Sequence, residues 1–325
     1  MGHGLAGAVL RDVLHQRSMR VRVHDAPREG RASRVAGGVV NPVVLRRMVL
    51  SWRASEFLPL ADTFYRAAEA RYGRRLWHPL VLRKLFADER EKALWSARCA
   101  EPSIGGSISM ECVGDHDLHG LRVPHGHGSV IGCAWLDVPA FLDAQEADLR
   151  KNGDWIEDPR DVDAHHREGA WVIECTGPFA RIPGLVPVKG ETLTVRIAGL
   201  HTRAMVHRGA FLLPLGEERF RVGATFAWEN VWSGPSDVAR EELLRRVRTM
   251  TDLPIEVLDQ QAGVRPTARD RRPLLGRLAA QPRQAVFNGL GSRGVLLAPW
   301  CAMHLADHLF AGAALDPEVD VARFA

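Results

Sequence analysis

The chain has 325 residues, 46% of them hydrophobic and 25% charged, which excludes a disordered or collagen-like protein and predicts two domains or one large one. The charge surplus is small, with 43 Lys and Arg against 39 Asp and Glu. The net charge of +4 permits an anionic ligand without indicating nucleic acid. Five cysteines without a C-x-x-C pair argue against a disulfide framework and favour the cytoplasm. No apolar run reaches the roughly 20 residues that cross a bilayer.

Hydrophobic periodicity and turn residues predict βα units, a β-rich middle and a closing βα unit. The first predicted elements are a helix at 5–16, a strand at 20–24, a glycine-rich loop at 30–42, a helix at 54–72, a strand at 76–86, a helix at 88–98, a helix at 138–151 capped by Asp137 and a strand at 171–175. Runs at 190–197, 203–207, 210–214 and 219–226 predict an antiparallel sheet. The last elements are a helix at 236–250 capped by Ser236, a strand at 284–288 and a helix to about Phe310. This order predicts an α/β protein whose nucleotide-binding domain is interrupted by a second domain.

Two histidine pairs could suggest a metal. His125 and His127 are spaced i, i+2 in the segment Pro124–Gly128 without further ligands, so we interpret this segment as a loop near a substrate pocket. His165 and His166 lie in a polar stretch and are interpreted as solvated. We therefore predict no metal site.

The chain begins with a glycine pattern. Gly2, Gly4 and Gly7 form G-x-G-x-x-G. In a dinucleotide loop the first glycine allows a tight turn, the second lets the backbone approach a pyrophosphate, and the third lets the helix pack closely on the sheet. The helix predicted to follow offers its N-terminal amides to an anion. Asp25 ends the next predicted strand, 18 residues after Gly7, where an acid can bind a ribose hydroxyl.

The pattern lacks one expected part. A β-strand normally precedes this loop, but only Met1 stands before Gly2. Without that strand a parallel sheet lacks a central ladder partner. We therefore predict that translation starts upstream, adding roughly six to ten residues, and that Met1 replaces an internal valine. The intact mass of the native protein tests this expectation, and a stop codon directly upstream of Met1 would contradict it.

Further segments, in order along the chain, resemble one family. They are Ala32–Pro42 (ASRVAGGVVNP), Cys175–Pro178 (CTGP), Val188–Glu191 (VKGE), Gly263–Thr267 (GVRPT), Asp270–Pro273 (DRRP) and Asn288–Trp300 (NGLGSRGVLLAPW). Together with the glycine loop they resemble the FAD-dependent family of D-amino-acid oxidase, glycine oxidase and sarcosine oxidase. The resemblance covers essentially the whole chain and is weakest between residues 75 and 170.

The resemblance implies a Rossmann-like FAD-binding domain interrupted by an antiparallel-sheet substrate domain. We expect the FAD-binding domain to comprise residues 1–72, 137–187 and 263–325, and the substrate domain residues 73–136 and 188–262. The first strand of the FAD-binding domain is the one missing at the N-terminus. By the same resemblance, FAD is bound non-covalently, because Cys301 lies inside the closing helix and does not match a flavin tether.

The resemblance also assigns roles to residues. Those expected to bind the cofactor are Gly2, Gly4, Gly7, Asp25, Ser33, Arg34, Ala36, Gly37, Gly177, Gly289, Gly291, Ser292 and Gly294. Arg265 is expected to pair with the substrate carboxylate, because a guanidinium fork matches a carboxylate geometrically; an internal salt bridge, for example to Asp270, is the alternative. Arg293 is expected to face the substrate or the flavin, with solvent exposure as the alternative. A structural role for Glu191 stays open.

The function that this resemblance implies is oxidation of the C–N bond of a small amino acid or N-substituted amino acid, with hydride transfer to the flavin. The electron acceptor is left open. One alternative is oxidation of a carboxymethylamino group on the wobble uridine of tRNA, but no basic run with interleaved aromatics supports nucleic acid as a partner. A second alternative is an inactive flavoprotein that lacks its first strand.

Overall fold

The computed structural model describes residues 1–111, 118–157, 170–278 and 283–325. Cys112 and the pair His165–His166 lie outside these residues. The helices are α1 (Leu5–Gln16), α2 (Ala32–Val35), α3 (Ala54–Tyr72), α4 (Glu89–Cys99), α5 (Val138–Lys151), α6 (Asp237–Arg248) and α7 (Gly294–Phe310). The predicted caps are confirmed, since Asp137 accepts a hydrogen bond from Ala140 N and Ser236 accepts one from Ala239 N. None of the helices in these ranges is long and apolar enough to cross a membrane.

Sixteen strands form four sheets among the described residues. The strands are β1 (Val23–His24), β2 (Val39–Val40), β3 (Val43–Val44), β4 (Val49–Leu50), β5 (Trp77–Leu85), β6 (Ile108–Ser109), β7 (His127–Leu136), β8 (Trp155–Ile156), β9 (Val172–Glu174), β10 (Leu185–Ile197), β11 (Met205–His207), β12 (Phe211–Gly216), β13 (Arg219–Gly223), β14 (Ile255–Ala268), β15 (Leu274–Arg277) and β16 (Gln284–Asn288). The α/β class predicted from the sequence is confirmed.

Two short sheets meet at the N-terminus. One pairs β1 with β8 in parallel, and the other has the order β15-β16-β9 with a parallel β16–β9 pair. Between them, Gly2 N donates to His24 O (2.8 Å), the Met1 amino group donates to Ile173 O (2.8 Å), and Cys175 N donates to Met1 O (2.7 Å). Met1 and Gly2 therefore occupy the position of the expected central strand and join both sheets into one Rossmann-like layer.

The largest sheet has nine strands and forms the second layer. Its order is β14-β10-β13-β12-β11-β5-β7-β2, with β6 also on β7. The neighbours β5 and β11 run parallel, so the sheet as a whole is mixed. The four runs predicted to be antiparallel form β10 to β13, which pair antiparallel with one another, so this prediction is confirmed. Val39 and Val40, which lie in the glycine-rich loop, pair with Trp135 and Ala134. This pairing ties the loop to the edge of the large sheet.

Among the strands longer than two residues, three are absent from the sequence-based prediction, namely β7, β14 and β15. The predicted loop at 124–128 is wrong from His127 onward, because His127 and Gly128 pair with Leu85 and Lys84. The sequence of β14 contains the polar run Asp259–Gln261 and Pro266, which interrupt the alternation of apolar and polar residues that would identify a strand. Its pairing along the whole of β10 makes it a strand. Long-range pairing therefore decides these elements rather than local propensity.

A buried ion pair joins α6 to the large sheet. Glu191 on β10 accepts hydrogen bonds from Lys189 Nζ (2.8 Å), Ser236 N (2.8 Å), Ser236 Oγ (2.8 Å) and Gln260 Nε2 (2.9 Å). Burial alone would raise the pKa of Glu191, but these hydrogen bonds outweigh it and lower the pKa. Lys189 also donates to Ser233 Oγ and Gly234 O. The role of Glu191 that the sequence left open is therefore structural, since its carboxylate holds the N-terminus of α6.

We expect Glu191→Gln to lower the free energy of unfolding by about 2 kcal/mol at pH 7, because it removes charge-assisted hydrogen bonds from a buried site. The pKa of Glu191 is lowered in the folded state, so this contribution exists above the pKa of an unfolded glutamate and is lost as the pH falls through the folded value. Urea unfolding at neutral and acidic pH measures both effects. Glu256→Gln is the control, because the Arg196–Glu256 pair is exposed; equal effects of the two variants would contradict the assignment.

Candidate functional site

A cavity of about 910 Å³ lies between the glycine loop and the large sheet. This volume is at the upper end of the roughly 300–1,000 Å³ of ligand pockets. Most predicted site residues line it: Gly2, Gly4, Asp25, Ser33, Ala36, Gly37, Gly177, Arg265, Gly291, Ser292, Arg293 and Gly294. One cavity thus brings together segments that are as far apart in the chain as Gly2 and Arg293.

Three predicted residues do not line the cavity. A Cβ on Gly7 would stand 2.0 Å from Gly2 O, so Gly7 lets α1 approach the loop. Gly289 has φ +73°, and a Cβ there would stand 2.9 Å from Leu274 N. Arg34 turns away and pairs with Asp143 and Glu146 on α5. For Gly7 and Gly289 the structure supports packing roles, and for Arg34 it shows a link between α2 and α5.

The first turn of α1 faces the cavity through Gly4, Leu5 and Ala6. Ser33 Oγ accepts a hydrogen bond from Leu5 N (3.0 Å), which fixes the loop at 32–35 against the helix N-terminus. The helix dipole and the first-turn amides make this end favourable for an anion. No acidic side chain lies in the first turn of α1 to oppose it.

Asp25 is buried at the end of β1 and already has two partners. Its Oδ1 accepts a hydrogen bond from His3 N (2.9 Å), and its Oδ2 is 2.6 Å from Arg31 Nη1. Arg31 lines the same cavity. A ribose hydroxyl at Asp25 would therefore also meet Arg31, a residue that the dinucleotide pattern does not predict.

His3, inside the glycine pattern, has a defined tautomer. Gln145 Nε2 donates to Ala8 O (2.9 Å), so Gln145 Oε1 is the acceptor for His3 Nε2 (2.9 Å). His3 Nε2 therefore carries the proton, and the buried Nδ1 has no partner among the described residues. Burial lowers the pKa of His3 and keeps the ring neutral. Beside the glycine loop, His3 thus adds no charge and holds Gln145, which donates to the backbone of α1.

Asn288 joins two glycine turns at the cavity wall. Its Nδ2 donates to Gly177 O (2.9 Å), and its Oδ1 accepts from Gly289 N (2.9 Å). Asn288 is buried at the end of β16. This one amide aligns the turn after β9 with the loop that leads into α7, where a ligand would lie between them.

A row of directly paired residues crosses the large sheet beneath the cavity. Thr192, Gly223, Phe211, His207 and Lys84 are neighbours on five successive strands, and all of them line the cavity. A Cβ on Gly223 would stand 2.7 Å from Phe211 Cζ, and one on Gly37 would stand 2.9 Å from the same atom. The Phe211 ring therefore lies between the sheet and the glycine-rich loop, and only glycines leave room for it.

The far end of this row is polar. Lys84 Nζ pairs with Glu91 (2.6 Å) and donates to Leu85 O (2.9 Å). Burial, followed by the charges of Lys84 and Arg246, lowers the pKa of His207 to about 3, so its ring is neutral. The buried Nδ1 of His207 has no partner in the described parts of the chain.

Arg265 lies at the other end of the sheet, on β14, and has no carboxylate partner among the described residues. Its Nη1 donates to Lys189 O (3.2 Å) and Thr225 O (3.2 Å), and its Nη2 also donates to Thr225 O (3.2 Å). The guanidinium therefore keeps its Nε–H and one Nη2–H, which form one bidentate edge. Burial lowers the pKa of Arg265 to about 10, so the group is still a cation at neutral pH.

Two residues hold the Arg265 guanidinium flat. Phe226 covers one face of the guanidinium, with Arg265 Cζ 4.1 Å from the centroid of the Phe226 ring. A Cβ on Gly190 would stand 2.1 Å from Nη2, so only glycine permits this position of the guanidinium. The proposed alternative partner, Asp270, pairs with Arg323 instead (2.8 Å). Gly190 carries a signal that could have been found in the sequence, because glycine inside a strand often marks a close approach; Phe226 carries none.

Arg293 precedes α7, lines the cavity and is half-buried. Burial and the charges of Arg47, Arg271 and Arg272 lower its pKa. It forms no ion pair among the described residues, and it is not fully exposed to solvent.

A glycine turn ahead of a helix N-terminus, opening on a cavity floored by a large mixed sheet, is the arrangement of a dinucleotide-dependent oxidoreductase. Residues 1–308 match the model of the DAO family, described as FAD dependent oxidoreductase. The chain belongs to this family of FAD-dependent oxidoreductases, as the sequence predicted.

Individual relatives agree with this assignment. Glycine oxidase from Bacillus licheniformis is 34% identical over 124 residues, which cover 37% of this chain and 34% of that protein. Glycine oxidase from Bacillus subtilis (strain 168) is 31% identical over 160 residues, 45% of this chain and 42% of that protein. These matches span less than half the length of either relative. The fold is similar to the crystal structure of iminodiacetate oxidase from Chelativorans sp. BNC1, with a TM-score of 0.78, 19% identity, and coverage of 100% of this chain and 97% of that one.

The residues of the cavity fit FAD. The glycine cradle is tightly packed, since a Cβ on Gly2 would stand 2.6 Å from Cys175 O and one on Gly4 would stand 3.2 Å from Ser33 Oγ. The α1 N-terminus suits a pyrophosphate, and Asp25 suits a ribose.

We expect Gly7→Ala to weaken FAD binding about tenfold, because its methyl group would push α1 away from Gly2 and overpacking costs about 1–3 kcal/mol. Equilibrium dialysis of the apoprotein against FAD, read by flavin fluorescence, measures the affinity. Gly106→Ala is the control, because a Cβ at Gly106 meets nothing within 4 Å. Unchanged affinity in Gly7→Ala would contradict a pyrophosphate site at this loop.

Proposed function

We propose that this oxidoreductase oxidises the C–N bond of a small amino acid or N-substituted amino acid whose carboxylate binds Arg265. The observation that carries the proposal is the free bidentate edge of Arg265. A partly buried cation without a counter-ion is costly, and a substrate carboxylate would supply the missing partner.

The chemistry of known relatives supports this substrate class. The proteins named glycine oxidase and iminodiacetate oxidase act, by their names, on amines that carry a carboxylate. In both named substrates, one carbon separates the amine nitrogen from the carboxylate, and the carboxylate is the group that an arginine fork binds. This distance lets one anchoring residue determine which C–H bond is presented for oxidation.

The roles of the chain's residues follow from their positions. Arg265 binds and orients the carboxylate, while Phe226 and Gly190 keep the guanidinium from rotating. Phe211 covers the sheet beside Gly223 and keeps water from that part of the cavity. When bound, FAD accepts the two electrons and the hydrogen that leave the substrate. We propose that the cofactor-binding residues that line the cavity hold it, while Gly7 and Gly289 act through packing.

Non-covalent attachment of FAD is part of the proposal. Cys301 is fully buried within α7 and is not among the residues that line the cavity. Burial also raises the pKa of its thiol, so it is a poor nucleophile. Acid precipitation should therefore release all the flavin into the supernatant.

The absorbance spectrum of the purified protein tests the function. Without oxygen, a panel of D-amino acids, glycine and sarcosine is added, and flavin bands near 370 and 450 nm are expected to bleach with at least one member. Bands that persist with every member of the panel would contradict the proposed substrate class.

We expect Arg265→Lys to raise the substrate concentration for half-maximal bleaching about tenfold to a hundredfold, because lysine lacks the bidentate fork. Gly190→Ala should act in the same direction, since its methyl group displaces the guanidinium. Arg269→Lys is the matched control, an exposed arginine four residues further along. Half-maximal bleaching of Arg265→Lys at the same substrate concentration as the wild type would contradict a role for Arg265 in substrate binding.

A further inference from the structure

The cavity continues past Phe211 into a second space at the β5 and β11 end of the large sheet. The residues that line this space come from β5, β11, β3 and the turn after β3, and they line the same cavity as Arg265: Leu82, Lys84, Met205, His207 and residues 43–46. On its floor, Leu82 is paired with Met205 and Lys84 with His207. We call this space the distal chamber.

Phe211 narrows the passage from Arg265 to the distal chamber. The ring of Phe211 lies between the sheet and the glycine-rich loop, with Cζ 2.7 Å and 2.9 Å from the positions that a Cβ would take on Gly223 and Gly37. The two parts nevertheless belong to one continuous cavity. The passage therefore suits an unbranched chain better than a branched one.

The distal chamber is far from the proposed carboxylate site. The guanidinium of Arg265 lies against Gly190 on β10, and His207 lies on β11, three strands further across the sheet in the order β10-β13-β12-β11. Because neighbouring strands are about 4.8 Å apart, these two positions are separated by roughly 15 Å. A ligand bound to Arg265 at one end therefore needs a long substituent to reach His207 at the other.

The polar end of the distal chamber offers hydrogen bonds beside compensated charges. His207 is half-buried and its Nδ1 is buried, so the ring nitrogen that faces the cavity is Nε2. Lys84 Nζ is paired with Glu91 (2.6 Å), and Arg246, which also lines the cavity, is paired with Glu242. The neutral His207 ring thus stands between ion pairs, where an uncharged polar group is its best partner.

The rest of the chamber is apolar. Leu82 and Met205 are buried on its floor, and Val43 is buried above them. Arg46, at the roof, is exposed to solvent, where water and salt screen its charge. A methylene chain that enters here would bury its surface against these side chains before it ends at His207.

We propose that the distal chamber binds the far end of a long, unbranched substituent on the substrate nitrogen, and that His207 selects substituents that end in a hydroxyl or amide group. The inference rests on the proposed function, because Arg265 anchors the carboxylate at the other end. It selects the N-substituted class over the small amino acids. It also makes Phe211 and His207 residues that determine specificity.

Unreactive acids of graded length test the proposal on the FAD-loaded enzyme. Unbranched ω-hydroxy acids are compared with the n-alkanoic acids of equal chain length, from butyrate to decanoate, and binding is measured by isothermal titration calorimetry. A methylene group replaces the amine in all of them, so no oxidation occurs. We expect the affinity of the hydroxy acids to pass through a maximum at one chain length. There it should exceed that of the matched alkanoate about tenfold, the effect of one hydrogen bond.

Variants of the two specificity residues locate the effect. His207→Leu should lower the affinity for the best hydroxy acid to that for the matched alkanoate, whereas His207→Gln should keep much of the preference, because its amide can replace Nε2. Phe211→Trp should weaken the binding of long acids in both series more than that of acetate, because the larger ring blocks the passage. His201→Leu is the matched control, since His201 is exposed and does not line the cavity; it should keep the full preference.

Other outcomes separate this proposal from the function on which it rests. Acid binding that depends on Arg265 but has no maximum with chain length, or a hydroxy-acid preference that persists in His207→Leu, refutes the distal chamber alone. A diacid or an ω-amino acid that binds more tightly than the hydroxy acid of equal length would show a charged end group and overturn the proposal. Absence of any acid binding refutes both the proposed function and this inference.

Discussion

Close contact between backbones is the constraint on which the cavity depends. Two layers must approach each other on either side of the ligand, and they touch where a Cβ would not fit. A Cβ on Gly38 would stand 1.9 Å from Leu136 O, and one on Gly263 would stand 3.1 Å from Ala32 Cα. Gly7 likewise lets α1 approach Gly2, and Gly190 leaves room for the guanidinium of Arg265. The glycines therefore set the width of the cavity as well as the shape of individual turns.

Charge decides what this narrow space accepts. The α1 N-terminus favours an anion at one end, while Arg265 and Arg293 favour anions elsewhere in the cavity. Neutral histidines stand beside these cations, because burial lowers the pKa of His3 and His207. The lining thus keeps its positive charge on groups with high pKa, so anion binding changes little across neutral pH.

Much of the architecture was predictable because its signals are local. The bounds of α1 and α3 match the predicted helices, since apolar positions recur at helical spacing. The strands β7 and β14 were not predictable, because their partners in the sheet rather than their own residues stabilise the extended form. The parallel pairing of β5 with β11 joins residues more than a hundred positions apart, which no local pattern reports.

By itself, the sequence determined the dinucleotide loop, the family and the cofactor, and it singled out Arg265, because these depend on short motifs whose spacing is visible along the chain. Only the tertiary structure decided what surrounds them. It turned Arg34 away to α5, gave Asp25 a partner in Arg31, and set Gly190 and Phe226 against the guanidinium of Arg265. The physical reason is that charge compensation and steric exclusion act through space, so they exist only once distant segments have packed together.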